Sequence, residues 1–307
     1  MASGGYIIGS GFSPDERKSA WWATDSRRAV SGQLVDVLLE KQGKKDRPDL
    51  SGVEAVQMGL IMQPVIGRIF EDTVGVRVRD LDTVGTYHKG TWLKAHTDFS
   101  TDDNGLLEVK NFNASAANKY PDGPDDWERL PEPDLIQCIH EATVFDVNHI
   151  YFAVLFGGQQ FRWWHIPVFD QMKDEFVQRA AKWWAMSQTG EMPPAETADQ
   201  GRAIYTKASD EVIVANASAE QYATALKAIK AKIKDLEQQE DVATAYLQNF
   251  MQEKSELLSP TGEVLVTWKA AKGSKKFDAT AFKTAMPDVY NQFVRETAGS
   301  RRFLVKG

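Results

Sequence analysis

The chain has 307 residues, 42% hydrophobic and 26% charged, with a formal net charge of −7. This is the profile of an ordinary soluble globular protein with room for one large domain, or for a core and an accessory domain. The acidic balance excludes an architectural protein that coats nucleic acid over its whole surface, although a catalytic cleft needs only a local basic lining.

Cys138 is the single cysteine, which rules out an internal disulfide framework and a cysteine-built zinc site. No apolar run approaches the roughly 20 residues of a membrane-spanning helix. The N-terminus lacks the basic start and apolar stretch of a secretory signal. A cytoplasmic protein without a membrane partner is expected.

The glycine-rich stretch at 5–11 lacks the Gly-Lys-Ser/Thr ending of a phosphate loop and reads as a flexible N-terminus. Residues 13–45 read as helical, opened by Ser13-Pro14-Asp15-Glu16 with its capping hydroxyl, first-turn proline and early acids. A further helical stretch runs from Gly52 to Val74, with Val56, Leu60, Val65, Ile66, Ile69 and Phe70 spaced for one face. Pro64 within it predicts a kink or a junction between two helices.

The period then changes from helical to alternating. Val76–Arg79 and Thr91–Asp98 read as strands, Asp102–Gly105 as a turn, and Leu106–Phe112 as the returning strand. After a polar loop at 113–131 come a helix over 133–146, strands at His149–Phe156 and Gln160–Ile166, and a helix over 169–187. The Trp163-Trp164 and Trp183-Trp184 pairs read as core rather than as base-stacking platforms.

Thr189–Gln200, with two adjacent prolines, reads as part of a linker. Beyond it Tyr222, Leu226, Ile229, Ile233 and Leu236 recur at spacings of 4, 3, 4 and 3. This is a coiled-coil-like seam, opened by a Ser218-x-x-Gln221 capping box. The basic stretch Lys227–Lys234 beside it reads as a solvated face. Val264–Trp268 alternates as a short strand, and Phe303-Leu304-Val305 is expected to close a small sheet.

The chemistry concentrates at Asp98 and Glu108-Val109-Lys110. Asp98 is expected to end one strand and Glu108 to sit on its antiparallel neighbour, about 5 Å away. Strand alternation puts Glu108 and Lys110 on one face and turns Val109 away. Two carboxylates and the Val109 backbone carbonyl can then hold Mg²⁺ (or Mn²⁺ in its place), with the lysine positioned to orient or acidify an attacking water. By itself, such a pattern also describes an ordinary surface hairpin.

The surroundings make the pattern more specific. In order along the chain stand Ser26-Arg27-Arg28-Ala29-Val30-Ser31, then Gly59–Pro64 followed by Gly75, then Asp98 and Glu108-Val109-Lys110. A helix bearing Gln137 and His140 comes last, leading into Tyr151-Phe152-Ala153. This ordered set resembles the lambda-exonuclease/YqaJ-type viral recombinases of the PD-(D/E)XK nuclease superfamily, over roughly residues 20–170.

The resemblance implies a PD-(D/E)XK, restriction-endonuclease-like α/β core of mixed sheet flanked by helices at 1–188. A linker at 189–216 and a C-terminal helical and β-hairpin extension at 217–307 complete the expected organisation. It implies Mg²⁺-dependent 5′→3′ digestion of linear double-stranded DNA ends, leaving single strands for a single-strand annealing partner in phage recombination, in the host cytoplasm. In these terms Asp98 and Glu108 bind metal, Lys110 assists the water, and Gln137 steadies the site. Arg28 with Ser31 holds the DNA 5′-phosphate, with Arg27 the alternative arginine, and His140 contacts DNA. A ring-shaped homo-oligomer is also implied.

One position departs from the pattern. Gln63 stands where the family carries glutamate, which implies a weak or water-mediated contact with the metal. The departure reads as a tolerated variant. Glu71 is turned too far round the helix to substitute, and an impaired site is the remaining possibility. The alternatives for the whole chain are a DNA-end-binding recombination scaffold and an endonuclease or repair nuclease of the same superfamily.

Overall fold

The computed structural model describes residues 14–81, 85–295, 299 and 301–306. The glycine stretch at 5–11 and the capping Ser13 therefore lie outside the described residues. The chain divides into two compact units, Met1–Ile204 and Tyr205–Gly307.

The helical run expected at 13–45 is interrupted. Helix α1 (Pro14–Lys18) stops at strand β1 (Trp21–Trp22), and helices α2 (Ala23–Arg28) and α3 (Leu34–Lys41) follow. Trp21 and Trp22 pair in parallel with Leu93 and Lys94, and both side chains are buried. A tertiary pairing thus overrides the local period. Between α2 and α3, Gly32 takes φ 79°, a left-handed turn that glycine adopts without steric cost.

Helix α4 (Glu54–Val74) is one helix of 21 residues, not two joined at Pro64. Pro64 lies on its exposed side, where water can satisfy the carbonyl that loses an amide partner. Its inward face is narrower than the spacing predicted: Ile66 and Phe70 are buried, whereas Val56 and Val65 are exposed.

Strands β2 (Val78–Asp80), β3 (Thr86–Tyr87), β4 (Leu93–Ala95), β5 (Phe99–Thr101) and β6 (Leu106–Phe112) precede helix α5 (Glu132–Phe145). Strands β7 (His149–Phe156) and β8 (Gln160–Pro167) and helices α6 (Asp170–Thr189) and α7 (Ala198–Ile204) complete the unit. The main sheet has the order β2-β5-β6-β7-β8, and a small second sheet runs β1-β4-β3. Only β6 and β7 pair in parallel within the main sheet. Parallel neighbours need a long crossover connection, and α5 lies in this one.

Alternation along β6 and β7 sorts the sheet into two faces. Leu107, Val109, Tyr151, Ala153 and Leu155 pack with Ile66 and Phe70 of α4. Leu106, Ile150, Phe152, Val154 and Phe156 pack with Ile136, Ile139 and Ala142 of α5 and Phe176 and Trp183 of α6. Glu108 and Lys110 therefore fall on the α5 face. Trp164 is fully enclosed and Trp183 nearly so. Helix α7 packs back on the first unit, Gln200 donating to the Gly32 carbonyl at 3.2 Å, so part of the expected linker belongs to the core.

The second unit is built on helix α8 (Ala217–Met251), 35 residues long. Asn216, not Ser218, caps it, accepting from the Ala219 amide at 2.8 Å. An antiparallel hairpin of β9 (Glu256–Leu258) and β10 (Val264–Thr267) follows, then helices α9 (Ala279–Ala285) and α10 (Pro287–Phe293). Residues 303–305 add no strand to this hairpin, which stays two-stranded. Among the described residues no helix is long and apolar enough to cross a membrane.

Candidate active site

Strand β6 carries the site from the middle of the main sheet. Its β7 partner runs its full length, but β5 begins only at Phe99, and its register ends at Leu107. The next position on that edge is taken by a side chain instead of a strand. The Oδ2 of Asp98 accepts the Val109 amide at 2.9 Å. Asp98 thus sits on the bend before β5, not at the end of a strand running from Thr91 as expected. The turn into β6 is closed by Gly105, where a Cβ would come within 2.3 Å of the His149 ring.

Helix α5 supplies the other half. Ten of its residues are buried, including Asp134, Gln137, His140, Glu141 and Thr143, so polar groups on almost every side need partners inside the protein. The Gln137 side-chain amide donates to Oε1 of Glu108 at 2.7 Å and to Oε1 of Glu141 at 2.9 Å. Lys110 forms an ion pair with Glu108. Oε2 of Glu141 and Oε1 of Gln137 are buried without a hydrogen-bond partner.

Three carboxylates, Asp98, Glu108 and Glu141, therefore crowd around one ammonium. Burial, then the neighbouring Glu108 charge, pushes both Asp98 and Glu141 well above the usual carboxylate range. Burial opposes the charged form of Lys110, but Glu108, Asp98 and Glu141 outweigh it and hold the ammonium above its ordinary pKa. With every acid ionised the cluster would carry an excess of two negative charges. Such an excess is costly at low dielectric unless protons or a cation offset it.

Among the described residues no group of three His, Cys, Asp or Glu side chains could hold a metal ion. The fit is instead to a cation that takes one or two carboxylates and keeps its waters, which is the habit of Mg²⁺. Asp98 and Glu108 are the residues that would hold it. Glu141 lies one step behind Glu108, joined through Gln137.

Asp98, Glu108, Lys110 and Gln137, singled out from the sequence, thus come together in one place. Gln63 lies on α4, whose Ile66 and Phe70 pack on the other face of the sheet, and among the described residues it makes no direct hydrogen bond to any of the four. Glu71 is likewise elsewhere, accepting the Val78 amide at 2.9 Å.

The residues expected to grip a terminal phosphate have protein partners. Arg28 makes a two-pronged pair with Glu40 at 2.6 and 2.8 Å. Arg27 donates Nε–H to Asp134 at 2.9 Å, and the Ser31 hydroxyl donates to the Arg27 carbonyl at 2.7 Å. His140 is fully enclosed, with its Nδ1 at 2.9 Å from the Ser26 hydroxyl and its ring against Phe176. Burial holds its pKa down at about 3. A neutral core histidine replaces the DNA contact expected of it, because no face of the ring reaches solvent.

The sequence reading missed Glu141. The signal was present: a glutamate four residues after Gln137, flanked by Ile139, Ala142 and Val144 in a helix too apolar to expose it.

No family model matches the chain. Among curated proteins it is 23% identical over 307 residues to an uncharacterized protein of Bacillus subtilis (strain 168), covering 93% of each chain. The likeness is to YqaJ. Because the YqaJ match spans 93% of this chain, it takes in residues of both units.

Similar solved structures include an alkaline exonuclease (LHK-Exo) from Laribacter hongkongensis. Its TM-score is 0.46 at 13% identity, over 58% of this chain and 92% of that one. A phage-related exonuclease from Haemophilus somnus 129PT gives a TM-score of 0.43 at 9% identity, over 56% and 96%.

Proposed function

We propose that this chain is a magnesium-dependent deoxyribonuclease that digests linear double-stranded DNA from its ends, 5′→3′. The observation that carries this reading is the cluster of a buried Glu108 with the half-buried Asp98 and Lys110 on one central strand edge, steadied by Gln137. Burying acids against one another is destabilising and calls for a compensating role.

Magnesium, or manganese in its place, would supply activation of water and neutralisation of charge building on the phosphate. The chain's own residues do the rest. The Val109 amide fixes one oxygen of Asp98, so that carboxylate presents a defined edge. Gln137 fixes Glu108 in the same way from the other side. The Lys110 ammonium, held charged by its acidic neighbours, orients the attacking water and stabilises the negative charge on the phosphate oxygens. The water oxygen bonds to phosphorus as the P–O ester bond to the leaving oxygen breaks; the water proton passes to solvent and the leaving oxygen takes up a proton from solvent, giving a phosphate monoester and a hydroxyl end.

Of the two candidate arginines, Arg27 suits the 5′-phosphate better. Arg28 is neutralised on two prongs by Glu40, whereas Arg27 makes its side-chain hydrogen bond through Nε alone. Its partner Asp134 lies one helical turn before Gln137 on α5. By resemblance, the single strands left behind would pass to an annealing protein, and copies of the chain would assemble as a ring around DNA.

A digestion assay with magnesium on 5′-phosphorylated linear duplex, 5′-hydroxyl linear duplex and closed circles tests the reading. Release of nucleotides from linear ends, fastest with 5′-phosphate, is expected. Cutting of circles would replace the exonuclease with an endonuclease. Binding of ends with no cutting would replace it with a scaffold.

A further inference from the structure

In the second unit, the apolar spacing that opens at Tyr222 does not stop at Leu236. Continued at alternating steps of four and three, it reaches Glu240, Ala243, Leu247 and Phe250, all on the single helix α8. Nine positions over four heptads are thereby in register, and Glu240 is the only charged one. Unlike the core helices, this face is largely open to water: Tyr222, Ile229, Ile233, Leu236 and Phe250 are 79, 55, 49, 52 and 67% exposed, and Leu226 and Leu247 are only half-buried. A continuous seam of this period at this exposure is complementary to another helix with the same period.

The residues flanking the seam say which helix. If Tyr222, Ile229, Leu236, Ala243 and Phe250 are the d positions and Leu226, Ile233, Glu240 and Leu247 the a positions, Lys232 falls at g and Glu237 at the following e. In a parallel pair these two meet across the interface, ammonium to carboxylate, once on each side of the symmetry axis. Neither makes an ion pair within the described residues of its own chain. The seam and its borders are thus self-complementary. Glu240 works against the pairing, because two copies would place like charges face to face at one layer.

We propose that α8 forms a parallel coiled coil with α8 of a second copy of this chain, held chiefly by the Tyr222–Leu236 half of the seam. This interface is independent of the nuclease reading, since it uses no residue of the α5–β6 site.

Site-directed cross-linking of the full chain tests the proposal. Cys138 is fully buried, so an introduced thiol is the reactive one. Under mild oxidation Leu236→Cys, at a d position, should give a covalent dimer much faster than Gln238→Cys, two positions on and on the outer face. In sedimentation of the full chain, Glu240→Leu should tighten association roughly tenfold or more, because it removes the like-charge layer and adds a buried leucine. Equal cross-linking of Leu236→Cys and Gln238→Cys would overturn the proposal, as would weaker association of Glu240→Leu. A parent chain that sediments as a monomer at micromolar concentration would overturn it as well.

Discussion

In the first unit charged groups are taken inside: Glu141 and Asp134 are enclosed in α5 among Ile139, Ala142 and Val144, and each is held by a named partner. In the second unit the reverse occurs, and Ile229, Ile233 and Phe250 stand about half or more in water on a helix that could have carried lysines there. Both arrangements raise the free energy of the isolated chain. A buried acid loses hydration, and an exposed isoleucine keeps water at an apolar surface. In the readings proposed above, a cation offsets the acids of the first unit and a second helix covers the apolar face of the second.

Substitutions can break or sharpen that contrast. The largest effect is expected at Glu108, where replacement by alanine should lower DNA cleavage by about 10³-fold or more in a single-turnover assay. Gln137→Ala should cost less, roughly 10–100-fold, as for partners that orient a metal-bound group. Equal losses would mean that Gln137 does more than position Glu108.

Stability should follow exposure. Phe152→Ala removes a fully enclosed ring and should cost about 3–5 kcal/mol in urea denaturation. Ile229→Ala should cost less than about 1 kcal/mol in dilute protein. Its cost should grow with protein concentration, as the seam becomes occupied.

A smaller effect concerns pH. The folded pKa values of Asp98 and Glu141 lie above the ordinary values of 3.8 and 4.5. Without metal, the stability these groups contribute is therefore full below those ordinary values and is lost as pH rises through the raised ones. Melting temperature should fall over that span, and Glu141→Gln should flatten the slope. Magnesium should raise the melting temperature most on the alkaline side. The smallest expected change is at Arg27→Ala, which should narrow the preference for 5′-phosphorylated over 5′-hydroxyl ends while leaving magnesium binding unchanged.

Much of the site was legible because it depends on short-range geometry. Alternation along Leu106–Phe112 put Glu108 and Lys110 on one face, and the Asp102–Gly105 turn returned the chain beside Asp98. Features that depend on distant partners were not legible. Trp21 and Trp22 become a strand only because Leu93 and Lys94 lie alongside. His140 and Glu141 share a helix whose enclosure on all sides appears only once α2, α6 and the sheet surround it. In the second unit the seam period was readable, but whether its apolar residues are covered was not, since spacing is the same for a helix packed internally and one left open.

The most direct test of the central claim is titration of magnesium into the full chain by calorimetry, beside the same titration of Glu108→Gln, with nucleotide release from linear duplex followed on both. The account predicts that the parent chain binds magnesium and degrades linear DNA only when it is bound, and that Glu108→Gln loses both. Degradation at full rate with no divalent cation, or by Glu108→Gln, would contradict it.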